Sequence, residues 1–264
     1  MPADSVSLNL VTLAGAAIAA AAGSMINAIA GGGTLLTFPS LIALGITPLS
    51  ANATNAVSMS IGTLGSAWGY RNRMAGLGRW AVLFTIPSAL GAALGALLLL
   101  WTPPDRFDAI VPWLVLGATA LFAAQGPLLR LFRRPGTEAA PGHTDIVPAH
   151  STAALISQFA VGIYGGYFGA AMGIMMLTVL GFLGFRDIHQ MNGVKTVAST
   201  CINFVASCLF LASGIVDWPV ALVMAIGGTL GGYLASRLAQ RVSQVAVRRA
   251  ILAIGVISGL WLFR

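Results

Sequence analysis

The only lysine in the chain, Lys195, stands inside an apolar stretch, with Asn192, Ser199 and Asn203 around it at i, i+3, i+7 and i+11. In a helix that spacing puts all four on one face. A cation among apolar neighbours is costly in lipid and marks a functional site by default. The bland alternative is a side chain that snorkels back to the interface. The polar stripe continues inward beyond the lysine, which favours a site. An ammonium, two carboxamides and a hydroxyl are groups that bind anions. Just upstream, the run GIYGGYFGAAMGIMM crowds Gly162, Gly165, Gly166, Gly169 and Gly173 together. A helix that begins after such a break aims its first N–H groups and its positive dipole end at the break, which suits phosphate, sulfate or carboxylate.

The same pattern occurs 140 residues earlier. Gly31, Gly32 and Gly33 interrupt an apolar run ending in MINAIA, Thr34 adds a hydroxyl, and Asn52 and Asn55 stand where Asn192 and Lys195 stand later. Gly33 with Gly173, Val57 with Val197, and LGAAL at 90–94 with LGGYL at 230–234 share the spacing. One spacing across several anchors argues for an internal duplication. Irregular backbone at membrane depth is tolerated only where protein or a water-filled cavity covers it. Two breaks at matching places therefore point to a substrate site. The expected substrate-binding set is Gly31, Gly32, Gly33, Thr34, Asn52, Asn55, Gly169, Gly173, Asn192, Lys195, Ser199 and Asn203. Gly162, Gly165 and Gly166 read instead as close helix packing of the small-xxx-small kind.

These residues need helices to position them. The chain has 264 residues, 57% hydrophobic and 8% charged, against about 25% charged in soluble domains. Several apolar runs exceed 18 residues, so the reading is an all-α polytopic membrane protein of roughly eight to ten membrane segments. Residues 1–130 form the first transmembrane repeat, 131–149 a polar cytoplasmic linker and 150–264 the second repeat, in one membrane domain. The short pieces after each glycine break are either tilted spans or arms of re-entrant hairpins. TPPDRFD at 102–108 and SGIVDWP at 213–219 read as loops, and 237–249 as a basic segment. In the first half the loop at 71–79 is basic and the one at 102–108 is not; in the second, 213–218 lacks Arg and Lys and 237–249 is strongly basic. Corresponding loops thus differ in character, which under the positive-inside rule orients the halves oppositely, as inverted repeats. The net charge of +7 belongs to these arginines at span ends, and no nucleic-acid partner is expected. The N-terminus lacks a basic n-region and does not read as a cleaved signal peptide.

Absent groups narrow the chemistry further. Asp4, Asp105, Asp108, Glu138, Asp145, Asp187 and Asp217 all lie at span ends or in loops, so no carboxylate sits deep in a span to carry a proton or hold sodium. There is no Walker motif. Cys201 and Cys208 lie seven residues apart on one helix, about 10 Å along its axis, too far for a disulfide, and read as packing residues. His143 lies within the linker and His150 beside it, and both read as solvated. No catalytic residue, metal or cofactor is expected. A membrane-embedded enzyme would need a convergent acid, base or metal cluster; that, and an assembly partner without transport, are the competing classes.

INAIAGGGTLLTFPSLIALGITP followed by ATN, and the second-half runs GGYFGAAMGIMML, MNGVKT and VDWP, resemble the two signatures of the TauE/SafE sulfite-exporter family over roughly residues 10–260. The resemblance implies a multi-pass permease of the bacterial inner membrane that exports sulfite, a sulfonate or another small sulfur-containing anion. Its expected partners are that anion, the lipid bilayer and a second copy of the chain. Asn27 stands where many such relatives carry an acidic residue, and Ala56 where several carry a basic one. The first removes a possible proton carrier and the second leaves Lys195 without a counterpart in the first half. The arginine distribution makes a topological prediction. Single cysteines at Glu138 and Arg241 should be labelled only from the cytoplasmic side, and those at Asp105 and Asp217 only from outside. Glu138 and Asp217 on one side would rule out inverted repeats.

Overall fold

The computed structural model describes residues 10–30, 32–70, 78–131, 151–185, 188–238 and 244–264, and these residues form ten α-helices and no strand. The first half holds α1 (Leu10–Ala30), α2 (Thr34–Ala43), α3 (Pro48–Tyr70), α4 (Gly78–Trp101) and α5 (Pro104–Leu131). The second holds α6 (Ser151–Tyr167), α7 (Met172–Phe182), α8 (Ile188–Ser213), α9 (Trp218–Leu238) and α10 (Gln244–Trp261). Among the described residues, Leu10–Asn27, Gly78–Trp101, Pro104–Gly126 and Gln190–Ser213 are long and apolar enough to cross a membrane. The glycine-interrupted pairs are α1–α2 and α6–α7. With 10 and 11 residues, α2 and α7 rise only about 15–17 Å, half of a hydrocarbon core of about 30 Å.

Two loop assignments shift. TPPDRFD is largely the first turn of α5: Pro104 begins the helix, and the Arg106 and Phe107 N–H groups both donate to Pro103 O at 3.0 Å. Proline fits that place because the amide it lacks has no helical partner there. Arg248 and Arg249, read as part of a basic segment, lie within α10, and the Arg248 guanidinium donates to Ala123 O on α5 at 2.7 Å. Cys208 is exposed and Cys201 half-buried, both as free thiols, so the packing role assigned to Cys208 does not hold.

On α4 and α9 a stripe of large apolar side chains faces outward, while the inward face mixes small residues with Phe84 and Leu99 on α4 and with Val220 and Met224 on α9. On α4, Val82, Ile86, Leu90 and Leu94 are exposed, while Ala81, Ala92 and Ala96 are buried. On α9, Leu222, Ile226, Leu230 and Leu234 are exposed, while Ala221 and Ala225 are buried. Each exposed residue of α4 lies 140 positions before its counterpart on α9, so the two helices present the same greasy stripe. A repeat of i, i+4 gives one helix face, and lipid is the solvent that suits it. The spacing of 140 does not extend to the breaks. There α2 starts at Thr34 and α7 at Met172, and the turns that end these helices, at Gly45 and Gly184, both with positive φ, stand 139 apart.

Glycine lets the helix backbones touch. A Cβ on Gly91 would meet Phe159 O, one on Gly95 would meet Ile163 O, and one on Gly166 would meet Ala92 O. Likewise Gly227 abuts Ala17 O and Gly231 abuts Ala21 O. Residue numbers rise together in both ladders, so α4 runs parallel to α6 and α1 parallel to α9. Tyr167, at the end of α6, receives a bond from Asn52 near the start of α3, and the Asp217 N–H at the start of α9 donates to Thr54 Oγ1 at 3.0 Å. The α4–α6 pair therefore points against α3 and α9. The packing pattern survives exchange of the halves: α4 lies on α6 as α9 lies on α1, α4 on α8 as α9 on α3, and α5 on α7 as α10 on α2.

Overfilling the α4–α6 contact should be costly. Gly95→Val should lower stability by roughly 1–3 kcal/mol, because even its Cβ would overlap Ile163 O. Gly117→Ala on α5, with nothing within 4 Å of the added atom, should hold or raise it. Thermal unfolding in detergent measures both; equal midpoints would refute the contact.

Candidate functional site

The second break, the start of α2 and both polar helices converge on one cavity. It is lined by Asn27 of α1, Thr34 of α2, Asn52, Asn55, Ala56, Met59 and Thr63 of α3, and Gly165 and Gly166 of α6. Phe168, Gly169 and Ala171 of the second break, Met172 and Gly173 of α7, and Lys195, Thr196, Ser199, Asn203 and Phe210 of α8 complete it. Its interior holds about 90 Å³, against the roughly 10–15 Å³ that one water requires. A small oxyanion with a few waters fits that space.

Of the expected set, Thr34, Asn52, Asn55, Gly169, Gly173, Lys195, Ser199 and Asn203 line the cavity. Gly32, Gly33 and Asn192 do not, and Gly31 lies outside the described residues. Gly32 and Gly33 serve packing. A Cβ on Gly32 would fall 2.7 Å from the Phe122 ring, and one on Gly33 would strike Gly23 O. Gly33 has ordinary right-handed helical angles, φ −57° and ψ −38°, so it is needed there for close approach and not for a special turn. Asn192 sits one turn nearer the start of α8 than Lys195, and its carbonyl accepts from Thr196 Oγ1.

The first turns of the short helices are tighter than expected. Leu35 and Leu36 donate to Gly32 O and Gly33 O, and Met172 and Ile174 donate to Gly169 O and Ala171 O, all i→i−3 bonds. These amides, which a free helix start would offer to an anion, are already engaged. Among the side chains of the cavity wall, Lys195, Asn27, Asn55 and Asn203 carry N–H donors. Lys195 does not snorkel away. Its aliphatic stem passes α7 where Gly173 leaves room, a Cβ there lying 3.4 Å from Lys195 Cδ. With α8 starting at Ile188, the lysine stands about 10 Å along the helix. Among the described residues no Asp or Glu lines the cavity, and Lys195 is the charged side chain that does.

The second break is held open by unusual backbone. Gly169 has φ +76° and Ala171 φ +60°; the latter is uncommon for a residue with a Cβ and is sustained only where the surroundings over-determine it. Tyr164 OH donates to Ala170 O at 2.7 Å, and Asn52 Nδ2 donates to Tyr167 O at 2.9 Å, each fixing a carbonyl of the break. The Phe168 ring meets Phe38 of α2 edge-on at 5.1 Å and Tyr164 at 6.5 Å. The Tyr167 ring lies 5.9 Å from Phe107, and its hydroxyl 3.4 Å from Thr102 Oγ1. The cavity end marked by Asn52 and Phe168 is thus closed by aromatic rings and by bonds between the halves. Asn27 and Thr196 escaped notice as site residues, although each neighbours a feature that was noticed, the glycine run and the lysine. Phe168 and Phe210 carry no periodic signal that separates them from core aromatics.

Residues 15–262 match the profile of the family described as Sulfite exporter TauE/SafE. The chain is 33% identical over 210 residues to a "Probable membrane transporter protein" of Haemophilus influenzae, covering 78% of this chain and 77% of that one. It is 29% identical over 215 residues to "Probable membrane transporter protein ORF9" of a Sinorhizobium species, covering 80% and 76%. It is also 29% identical over 234 residues to "Probable membrane transporter protein YfcA" of Escherichia coli, covering 88% and 82%. No solved structure matches. The profile spans both halves, both breaks and the cavity between them, and the chain belongs to the TauE/SafE family.

Proposed function

We propose that this membrane transporter moves a small oxyanion, sulfite or an organosulfonate, out of the cytoplasm by alternating access between two inverted repeats. The observation that carries the reading is that Lys195 and the carboxamide residues Asn55 and Asn203 line one cavity, with no carboxylate among its described residues. An ammonium and oriented amides replace the hydration of an oxyanion, and a cation within an apolar bundle is stable only where an anion or water meets it. The family name and the names of the relatives support the substrate class and the multi-pass inner-membrane setting. The helix directions and the preserved packing under exchange of halves support inversion. In this reading the closed end around Tyr167, Phe168 and Phe107 is the outer gate, because it adjoins Thr102 and Asp217, which the arginine distribution places outside. Export requires those rings and the Asn52–Tyr167 bond to part.

With no carboxylate at the site, the membrane potential acting on the anion supplies the drive, about 2.3 kcal/mol per charge at 100 mV. Lys195→Gln should weaken sulfite affinity roughly 10- to 100-fold, the scale of a charge-assisted bond, and Lys195→Arg should keep part of it. Efflux of labelled sulfite from proteoliposomes, with potassium and valinomycin setting the voltage, should rise with an inside-negative potential and persist without a pH gradient. Flux that follows the proton gradient alone would refute the uniport, and unchanged affinity in Lys195→Gln would remove the lysine from the site.

A further inference from the structure

We infer that Thr37, which does not line the cavity, is a positioning residue that sets the Asn55 carboxamide toward the anion; the inference rests on the transport reading above. A carboxamide has two faces of opposite use: its NH₂ attracts an oxyanion and its oxygen repels one. Thr37 on α2 is fully buried, and its Oγ1 donates to Asn55 Oδ1 on α3 at 2.6 Å. The oxygen of Asn55 is thereby turned back toward α2, and the NH₂ is the end left for the cavity. The rotamer of Thr37 is itself held. Its methyl fills the notch left by Gly23 on α1, where a Cβ would collide with Thr37 Cγ2. A β-branched side chain with its methyl so placed has little freedom at χ1, and its hydroxyl is directed at Asn55. Gly33 O, at 3.4 Å, is a weaker second acceptor. One line of contacts, Gly23 to Thr37 to Asn55, thus runs across α1, α2 and α3.

The second half lacks this device, and chemistry explains the difference. Lys195 stands at the position that corresponds to Asn55. An ammonium only donates and needs no partner to choose which end it presents. The residue that α7 places against it is Gly173, which supplies room and no hydrogen bond from a side chain. An amide can face the wrong way; a lysine cannot. Preorganised donors of this kind act without reorganisation when the anion arrives.

The test is saturable sulfite efflux from proteoliposomes of the full chain. Thr37→Val, nearly isosteric, should raise KM roughly 10-fold and leave the maximal rate within about twofold, and Thr37→Ser, which keeps the hydroxyl without the methyl that holds it, should recover part of that loss. Asn55→Ala should raise KM to a similar extent, and Thr37→Val with Asn55→Ala should be no worse than Asn55→Ala alone, because the threonine acts only through the amide. Losses that multiply in the double variant, or an unchanged KM in Thr37→Val, would overturn the inference and leave the transport reading intact. Thr37→Ala runs the same cycle if the valine variant does not fold. Absence of saturable sulfite efflux in the wild type would overturn both readings.

Discussion

A helix broken inside an apolar bundle exposes backbone N–H and C=O groups that lipid cannot satisfy. This chain breaks two of its helices, and the rest of the fold follows from covering those breaks. Each break is closed first by its own turn, through i→i−3 bonds in the short helix that follows. The second is then clasped by the opposite half: Asn52 binds Tyr167 O, and Phe38 packs on Phe168. A half on its own would leave the carbonyl of Tyr167 without that carboxamide. The two halves therefore specify each other, and the volume they enclose is where polar side chains are tolerated.

Glycine serves this arrangement in two distinct ways. Gly91, Gly95, Gly166, Gly227 and Gly231 let α4 and α6, and α1 and α9, approach backbone to backbone. Without a hydrophobic force between helices in lipid, such packing is a principal source of association. Gly169 instead supplies a left-handed turn, and Gly173 supplies clearance for the stem of Lys195. The glycines thus build close parallel pairs, α4 with α6 and α1 with α9, and leave room for polar side chains at the centre.

Much of this was legible in the residues. Apolar runs bounded by arginines located the helices, and the glycine runs located both breaks. The spacing of Asn192, Lys195, Ser199 and Asn203 identified a polar face, of which the last three members reach the cavity. What was not legible depends on packing. Three consecutive glycines look alike in sequence, yet Gly32 is short of a Cβ because Phe122 from α5 lies against it and Gly33 because Gly23 does. The repeat spacing of 140 tightens around the short helices, where the equivalent turns at Gly45 and Gly184 stand 139 apart, a shift that no alignment of common Gly and Val residues can detect. Helix starts promise backbone donors, but i→i−3 bonds engage several of them, which leaves more to side chains such as Asn55, itself bonded to Thr37 at a separation of 18 residues.

The central claim is that one anion sits between the halves, held by side chains rather than by the ends of the broken helices. Selenite, the heavier analogue of sulfite, makes that visible by anomalous scattering from crystals of the protein. The account predicts a selenium peak within hydrogen-bonding reach of Lys195 Nζ and of the Asn55 or Asn203 carboxamide. A peak against the backbone of Gly32 and Gly33, or one outside the cavity, would contradict it.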